Sequence, residues 1–503
     1  MAAPAKARDL CSAALRRAEQ HAQVTHVEVR WLSEQSERLR VRDGAPDGIS
    51  SGRSAGFSVR LIASGAWGFA CTGEAAEAAV HRMVDEAVAI ARASARLSEK
   101  PVRFPPRAGE VGEYSTPLEI DPFTVPLETK LADLATPEAE LRRGGAPIHS
   151  AEAWMHWTAV DKLLMTSEGT DVSQRLVYGG VGLSAIAVGS DGRMQRRSFP
   201  GFPGSEGQQG GYEIVARTGL MAAAPRVRSE AIELLGAEQC PEGVRDVLLG
   251  SNQMALQIHE SCGHPTELDR ALGAEISLAG GSFLQPEDLG KLRYGSEIVT
   301  LTADSIAPTG LGTFGWDDEG SPARKAPLIE RGVFVDYLSS RETAAALGRE
   351  STATVRADGW NRVPMIRMVN VSLEPRAGSL EDLVADTADG ILFDVNQSWS
   401  IDDLRLNFQF SCELAWEIKR GKRVRLLRDA RYTGMTPRFW QSCDAICGPE
   451  EARIWGLMLC GKGVTDCLWP DFGAEEIDRA LAAYAQRDRR FGMIRPPVVQ
   501  AAD

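Results

Sequence analysis

The chain has 503 residues, 43% of them hydrophobic and 25% charged, with a formal net charge of −13. That length exceeds one usual domain and predicts two, in an ordinary soluble globular protein. The acidic balance, with no Lys/Arg run to reverse it locally, argues against nucleic acid as a partner, and no stretch approaches the roughly 18 apolar residues of a membrane span.

The N-terminus, "MAAPAKARDLCSAALRRAEQ", has charges interrupting every apolar stretch, so it reads as an amphipathic helix over 7–21 and not as a signal peptide. Alternation of apolar and polar side chains in "THVEVRWLSEQSERLRVRDG" predicts two strands, and "GFSVRLIASGAWGFACT" a hairpin around Ser64-Gly65. A long alanine-rich helix follows, with an apolar stripe through Ala79, Met83, Ala87 and Ile90. A Pro-rich connector, 101–126, leads to a helix near 127–143 and to further antiparallel strands. The Gly- and Pro-rich "FPGFPGSEGQQGGYE" then marks a domain boundary, giving an N-terminal α+β domain, 1–212, and a C-terminal domain, 213–503.

The second half opens with a helix predicted over 213–237 and a short buried strand, "VRDVLLG". Strand signals recur at 297–304, 326–338, 366–374, 390–396, 405–418 and 423–432, with turns at Glu330-Arg331-Gly332 and Gly421-Lys422. Strands dominate without strict βαβ alternation, so the fold class expected is α+β, two domains with largely antiparallel sheets and flanking helices.

Between these elements lies "LQIHESCGHPTELDR". His259, Glu260 and His264 place two imidazoles and a carboxylate within six residues: two ligands for zinc and a base for the water it binds. The spacing is unusual. Residues i and i+4 stand about 40° apart around an α-helix, but i and i+5 about 140° apart. Gly263 permits backbone angles other residues resist, and Pro265 disfavours the α conformation at His264, so the helix is expected to end or bulge there. A His/Glu cluster can also be no more than a polar helix end. Against that, the chain has seven histidines and none but these two after His156. A third protein ligand is required, and Glu267, Asp269, Cys262 and any later cysteine are candidates. Cys262, wedged between Ser261 and Gly263, reads as a packed thiol. "GLGTFG", Gly310 to Gly315, fits a dinucleotide-loop pattern but is followed by acidic "WDDEGSP" and no helix, so it is discounted. The nine cysteines show no disulfide-framework spacing and fit reduced thiols in a cytoplasm. No C-x-x-C pair supports a thiol redox protein.

Several segments together, "HESCGHPTELDR", "GTFGWDDEGSPARKAPLIERGVFVDYLSSRETA", "RMVNVSLEPRAGSLEDL", "RDARYTGMTPRFWQSCDAI" and "CGKG", resemble the TldD/PmbA family of metallopeptidases, and "GFSVRLIASGAWGFACT" resembles its N-terminal domain. The resemblance implies one zinc ion per chain held by His259, His264 and Cys460, with Glu260 as general base and 213–503 as the zinc-binding metallopeptidase domain. Glu267 and Asp269 fit the family's acidic positions and are expected to orient imidazole N–H groups. "WDDEG" belongs to a segment the resemblance places near the cleft. This chain departs from its relatives in "GLMLCGKGVTD", where they carry Pro-Asn before the cysteine and Gln-Pro after "CGKG". The activity implied is hydrolysis of short or unfolded peptides by a homodimer or a heterodimer with a related chain. The alternative is a non-catalytic assembly or binding subunit of a peptidase complex.

Overall fold

A computed structural model describes residues 4–98, 100–143, 145, 147–274 and 280–458. Helix α1 (Ala5–Glu19) precedes three antiparallel strands, β1 (Val24–Arg42), β2 (Ala45–Ala63) and β3 (Ala66–Thr72), and helix α2 (Glu77–Ala95) follows them. Val27, Val29, Phe57, Val59 and Leu61, at alternate positions, bury one sheet face against Leu10, Ala14, Val80, Met83 and Ala87 of the two helices. Each of the Val, Leu, Phe and Met side chains contributes about 1.5–3 kcal/mol when fully buried.

Where two strands were expected in 25–44, β1 is one strand of 19 residues. Its polar middle stays in register because β2 and β5 (Ile148–Thr166) bond both edges. With β4 (Val111–Ser115), β6 (Asp171–Val188) and β7 (Met194–Phe199), the strand order is β3-β2-β1-β5-β6-β4, with β7 also on β6. Helix α3 (Leu127–Arg142) covers the far end of this sheet.

The helix expected over 213–237 is two, Glu213–Thr218 and Leu220–Gly236, divided where Gly219 takes a left-handed φ of 68°. Leu220, Ala224, Val227 and Ala231 share a core with Leu39, Trp157 and Leu183 of the first sheet.

Beyond it, Asp389–Ile401, Asn407–Lys419 and Lys422–Arg428 form an antiparallel sheet. Asp246–Leu249 adds to its edge in parallel, which places the start of the next helix beside that edge. The strand expected over 423–432 divides at Asp429, whose φ of 53° turns the chain, and Arg431–Met435 pairs with the far end of Asn407–Lys419. A third sheet has the order Val333–Phe334, Lys325–Glu330, Leu301–Asp304, Asn370–Leu373, and the Arg331-Gly332 turn closes its hairpin.

The two halves meet through buried charge. Arg60 bonds Glu28 at 2.7 and 2.9 Å and Glu319 at 2.9 Å. Asp318 accepts from Lys162 Nζ at 2.6 Å and Arg30 at 3.2 Å. Burial would push the Asp318 carboxyl up, but the two cations outweigh it and hold it at about 2. Asp318 and Glu319 of "WDDEG" therefore face the first sheet. No helix among the described residues is long and apolar enough to cross a membrane.

Candidate metal centre

The strand Asp246–Leu249 delivers the chain into helix Ser251–Ile258, and at His259 the helix widens into a five-residue π turn, His259–Gly263. His264 N–H donates to the His259 carbonyl at 3.1 Å, an i→i+5 bond. The extra residue in the motif becomes the extra residue of the turn, and the sixth position returns to the face of the first. The two imidazoles stand 4.7 Å apart between centroids, crossed at 83°. Donor atoms of His259, Glu260 and His264 all lie within 4.8 Å of one another.

The bulge arises differently from the sequence expectation. His264 keeps α-helical angles, φ −63° and ψ −43°, despite Pro265. Gly263 is favoured by contact, not by its backbone: a Cβ there would lie 2.0 Å from Met368 Sδ, so that side chain would have to shift. The turn is also braced from behind. Tyr294 Oη–H donates to the Ser261 carbonyl. Trp440 Nε1–H donates to Ser261 Oγ at 2.9 Å, and Tyr432 Oη–H to Gln257 Oε1 at 3.0 Å. Thr266 Oγ1–H donates to the Cys262 carbonyl at 2.9 Å and the Gly263 carbonyl at 3.0 Å, so the widened backbone is satisfied within the core.

Glu267 is fully buried and its Oε2 lies 2.9 Å from His264 Nδ1 and 3.1 Å from Arg270 Nε. This contact fixes the ring and the tautomer: Nδ1 carries the proton and Nε2 keeps its lone pair. Asp269 accepts from the Arg270 amide at 2.8 Å. Cys262 is wholly inside the hydrophobic core and burial pushes its thiol well up, which suits packing and not ligation. Cys460 lies outside the described residues.

His259 also lines an open cavity of about 1590 Å³, with Ile258, Arg367, Met368, Val369 and Asn370 around it. Leu311 and Gly312 of "GLGTFG" form part of the wall. Gly312 N–H donates to Asn370 Oδ1 at 2.9 Å, and a Cβ at Gly312 would meet the Asn370 amide at 2.7 Å, so that glycine serves close packing.

Two features were not singled out in the sequence. Arg405, in the Asp402–Leu406 loop, has its guanidinium lowered by burial and opposed chiefly by the charge of Glu260, then of Glu267. The loop is caged by Asp402, which accepts from the amides of Leu406 at 2.8 Å and Asn407 at 3.1 Å. The brace of Tyr294, Tyr432 and Trp440 is the other. Tyr432 and Trp440 stand in the quoted "RDARYTGMTPRFWQSCDAI", but their partners, Gln257 and Ser261, are 175 and 179 residues away in sequence, beyond the reach of local pattern.

Three family models match the chain: PmbA/TldA metallopeptidase domain 1 over residues 27–91, the central domain over 120–236 and the C-terminal domain over 242–463. A metalloprotease of Methanocaldococcus jannaschii is 28% identical over 438 residues, 87% of this chain and 92% of the relative. A zinc metalloprotease TldD homolog of Saccharolobus solfataricus is 24% identical over 199 residues, 39% of this chain and 42% of that one. The crystal structure of TldE from Thermococcus kodakarensis has a similar fold, with a TM-score of 0.69 at 18% identity, covering 88% of this chain and 94% of that chain.

Proposed function

The chain belongs to the PmbA/TldD family of metallopeptidases, and from that premise we propose that it hydrolyses short or unfolded peptides in the cytoplasm, using one zinc ion at His259 and His264 with Glu260 as general base. The observation that carries the reading is the convergence of His259, Glu260 and His264 within 4.8 Å, with His259 on the wall of a cavity large enough for an extended peptide.

Zinc bound there supplies a Lewis acid for the scissile carbonyl and a water acidified enough to attack near neutral pH. Glu267 takes the Nδ1 proton of His264 in a hydrogen bond and so presents Nε2 as the donor. Glu260 accepts the attacking water's proton and returns it to the leaving amine nitrogen. Cys460 is the proposed third ligand, on the strength of the family resemblance alone, and a thiolate in the donor set favours zinc over harder divalent ions. The strand Asn370–Leu373 ends its sheet and lines the cavity, so an extended peptide can bind there as an added strand. The proposal includes a dimeric state, with a second copy or a related chain.

The test is hydrolysis of a mixed library of unfolded peptides by wild type and Glu260→Gln, with zinc measured in both. The variant should retain zinc and lose cleavage by roughly 10²–10⁴-fold. Wild-type cleavage that survives complete removal of zinc, or a Glu260→Gln chain as fast as wild type, contradicts the reading.

A further inference from the structure

The turn between strands Asp389–Ile401 and Asn407–Lys419 carries an arginine whose backbone is pinned on every side. Arg405 N–H donates to the Asp402 carbonyl at 3.0 Å, and Asp402 N–H to the Asn407 carbonyl at 3.1 Å. Thr436 ties down the far side, with its N–H on the Leu406 carbonyl at 2.8 Å and its hydroxyl on the Arg405 carbonyl at 2.9 Å. These bonds hold Arg405 at a left-handed φ of 65°, where glycine or asparagine is the easier residue. Strained backbone of this kind gathers at functional sites.

Contacts set the turn beside the candidate metal centre. Phe283 N–H donates to the Leu404 carbonyl at 2.9 Å. Gly280 lies so close that a Cβ there would come within 2.3 Å of the Asp403 carbonyl oxygen, and the Gly280 carbonyl in turn accepts from Arg270 Nη1 at 3.3 Å. Arg270 is the residue that shares Glu267 with His264. Burial lowers the Arg405 guanidinium from its ordinary value, and the charge that opposes this most is that of Glu260, ahead of Glu267. With Arg270 committed to Glu267, Arg405 is the cation turned toward Glu260.

Glu260 is 7% exposed and makes no side-chain hydrogen bond or ion pair among the described residues. The guanidinium therefore faces this carboxylate without closing on it. That separation suits a substrate group held between a base and a fixed cation.

Resting on the peptidase reading above, we propose that Arg405 donates a charge-assisted hydrogen bond to the scissile carbonyl oxygen as negative charge develops there. The water oxygen adds to the carbonyl carbon, one water proton passes to Glu260, and the carbonyl π pair moves onto the oxygen that Arg405 holds. On collapse that pair reforms the C=O bond, the C–N bond breaks, and the proton on Glu260 goes to the leaving nitrogen. Arg405 gives up no proton, because a guanidinium stays charged and supplies a planar fork of donors. It binds the tetrahedral oxyanion more strongly than the neutral carbonyl, so it acts on kcat more than on KM.

The test uses one library peptide that wild type cleaves and the phosphinic analogue of that peptide, whose tetrahedral anion copies the intermediate. Wild type, Glu260→Gln, Arg405→Gly, Arg405→Met and Arg405→Lys are compared for zinc content, urea unfolding, kcat, KM and affinity for the analogue. Arg405→Gly and Arg405→Met both lack the guanidinium, but glycine alone fits the left-handed backbone, so Arg405→Gly should be the more stable of the two. Both should keep zinc, lose kcat by about 10²–10³-fold with KM within about threefold, and bind the analogue more weakly by a comparable factor. Arg405→Lys keeps the charge without the fork and should recover about tenfold of the lost kcat. Folded, zinc-loaded Gly and Met variants that match wild type in kcat overturn the proposal and leave the peptidase reading standing. So does a loss confined to KM, or an unchanged affinity for the analogue. Loss of zinc or of the fold in all three Arg405 variants overturns it too, since that marks a structural residue. A wild type that cleaves nothing in the library, or a Glu260→Gln chain as fast as wild type, overturns the peptidase reading and this proposal with it.

Discussion

Replacing Glu267 by Gln probes the proposed metal centre from behind its candidate ligands. The wild-type carboxylate is wholly buried and shared between His264 Nδ1 at 2.9 Å and Arg270 Nε at 3.1 Å, and Arg270 itself is 1% exposed. The amide keeps the shape and an acceptor oxygen for the Nδ1 proton, but it loses the charge that makes the imidazole a stronger donor through Nε2. Loss of such a partner lowers metal affinity by about 10–100-fold, equivalent to roughly 1.4–2.7 kcal/mol. Truncation to Ala goes further: it leaves Arg270 buried without its carboxylate and should destabilise the fold by about 3–5 kcal/mol. Zinc affinity measured by competition with a chromophoric chelator, with urea unfolding alongside, separates the two effects. A folded Glu267→Gln chain that binds zinc within twofold of wild type would refute the argument that this contact orients His264.

Tyr294→Phe removes the donor to the Ser261 carbonyl inside the core, and should cost about 1–3 kcal/mol in chemical denaturation, with weaker zinc binding because the π turn loses its brace. Gly263→Ala forces a methyl group to within 2.0 Å of Met368 Sδ and should destabilise by about 1–3 kcal/mol; adding Met368→Ala should recover part of that loss in a double-mutant cycle. Asp318 has its folded-state value held at about 2, below the ordinary 3.8, so its stabilisation is present above pH 3.8 and is lost as pH falls through 2. Asp318→Asn should therefore flatten the acid limb of the stability curve between pH 4 and about 2, and near neutral pH should cost roughly 3–5 kcal/mol by leaving Lys162 and Arg30 without their shared partner. Unfolding midpoints measured from pH 2 to 7 check both statements.

Local periodicity made much of this fold legible. The 3.6-residue stripe through Ala79, Met83, Ala87 and Ile90 lies in the buried face of α2, and the hairpin read around Ser64-Gly65 joins β2 to β3. What escaped was set by distant partners. β1 reads as two strands until β5 is known to bond its polar middle, and the strand expected over 423–432 divides at a left-handed Asp429 that carries no glycine signal. At the candidate site, the residue types and the need for an irregular turn were readable from His259 to Pro265. The cause was not: the bulge is an i→i+5 turn held by Tyr294 and Trp440, and Gly263 answers to Met368. "WDDEG" was expected near the cleft, yet Asp318 and Glu319 close on Arg30, Arg60 and Lys162 of the first half, contacts no local pattern encodes.

The central claim is that His259 and His264 hold a catalytic zinc ion, and elemental analysis tests it most directly. Purified wild type, His264→Ala and Cys460→Ser should be measured after equilibration with zinc and removal of the excess. The account predicts about one zinc ion per wild-type chain, and a marked loss in both variants together with loss of peptide cleavage. A folded wild type that stays metal-free after zinc addition would contradict it.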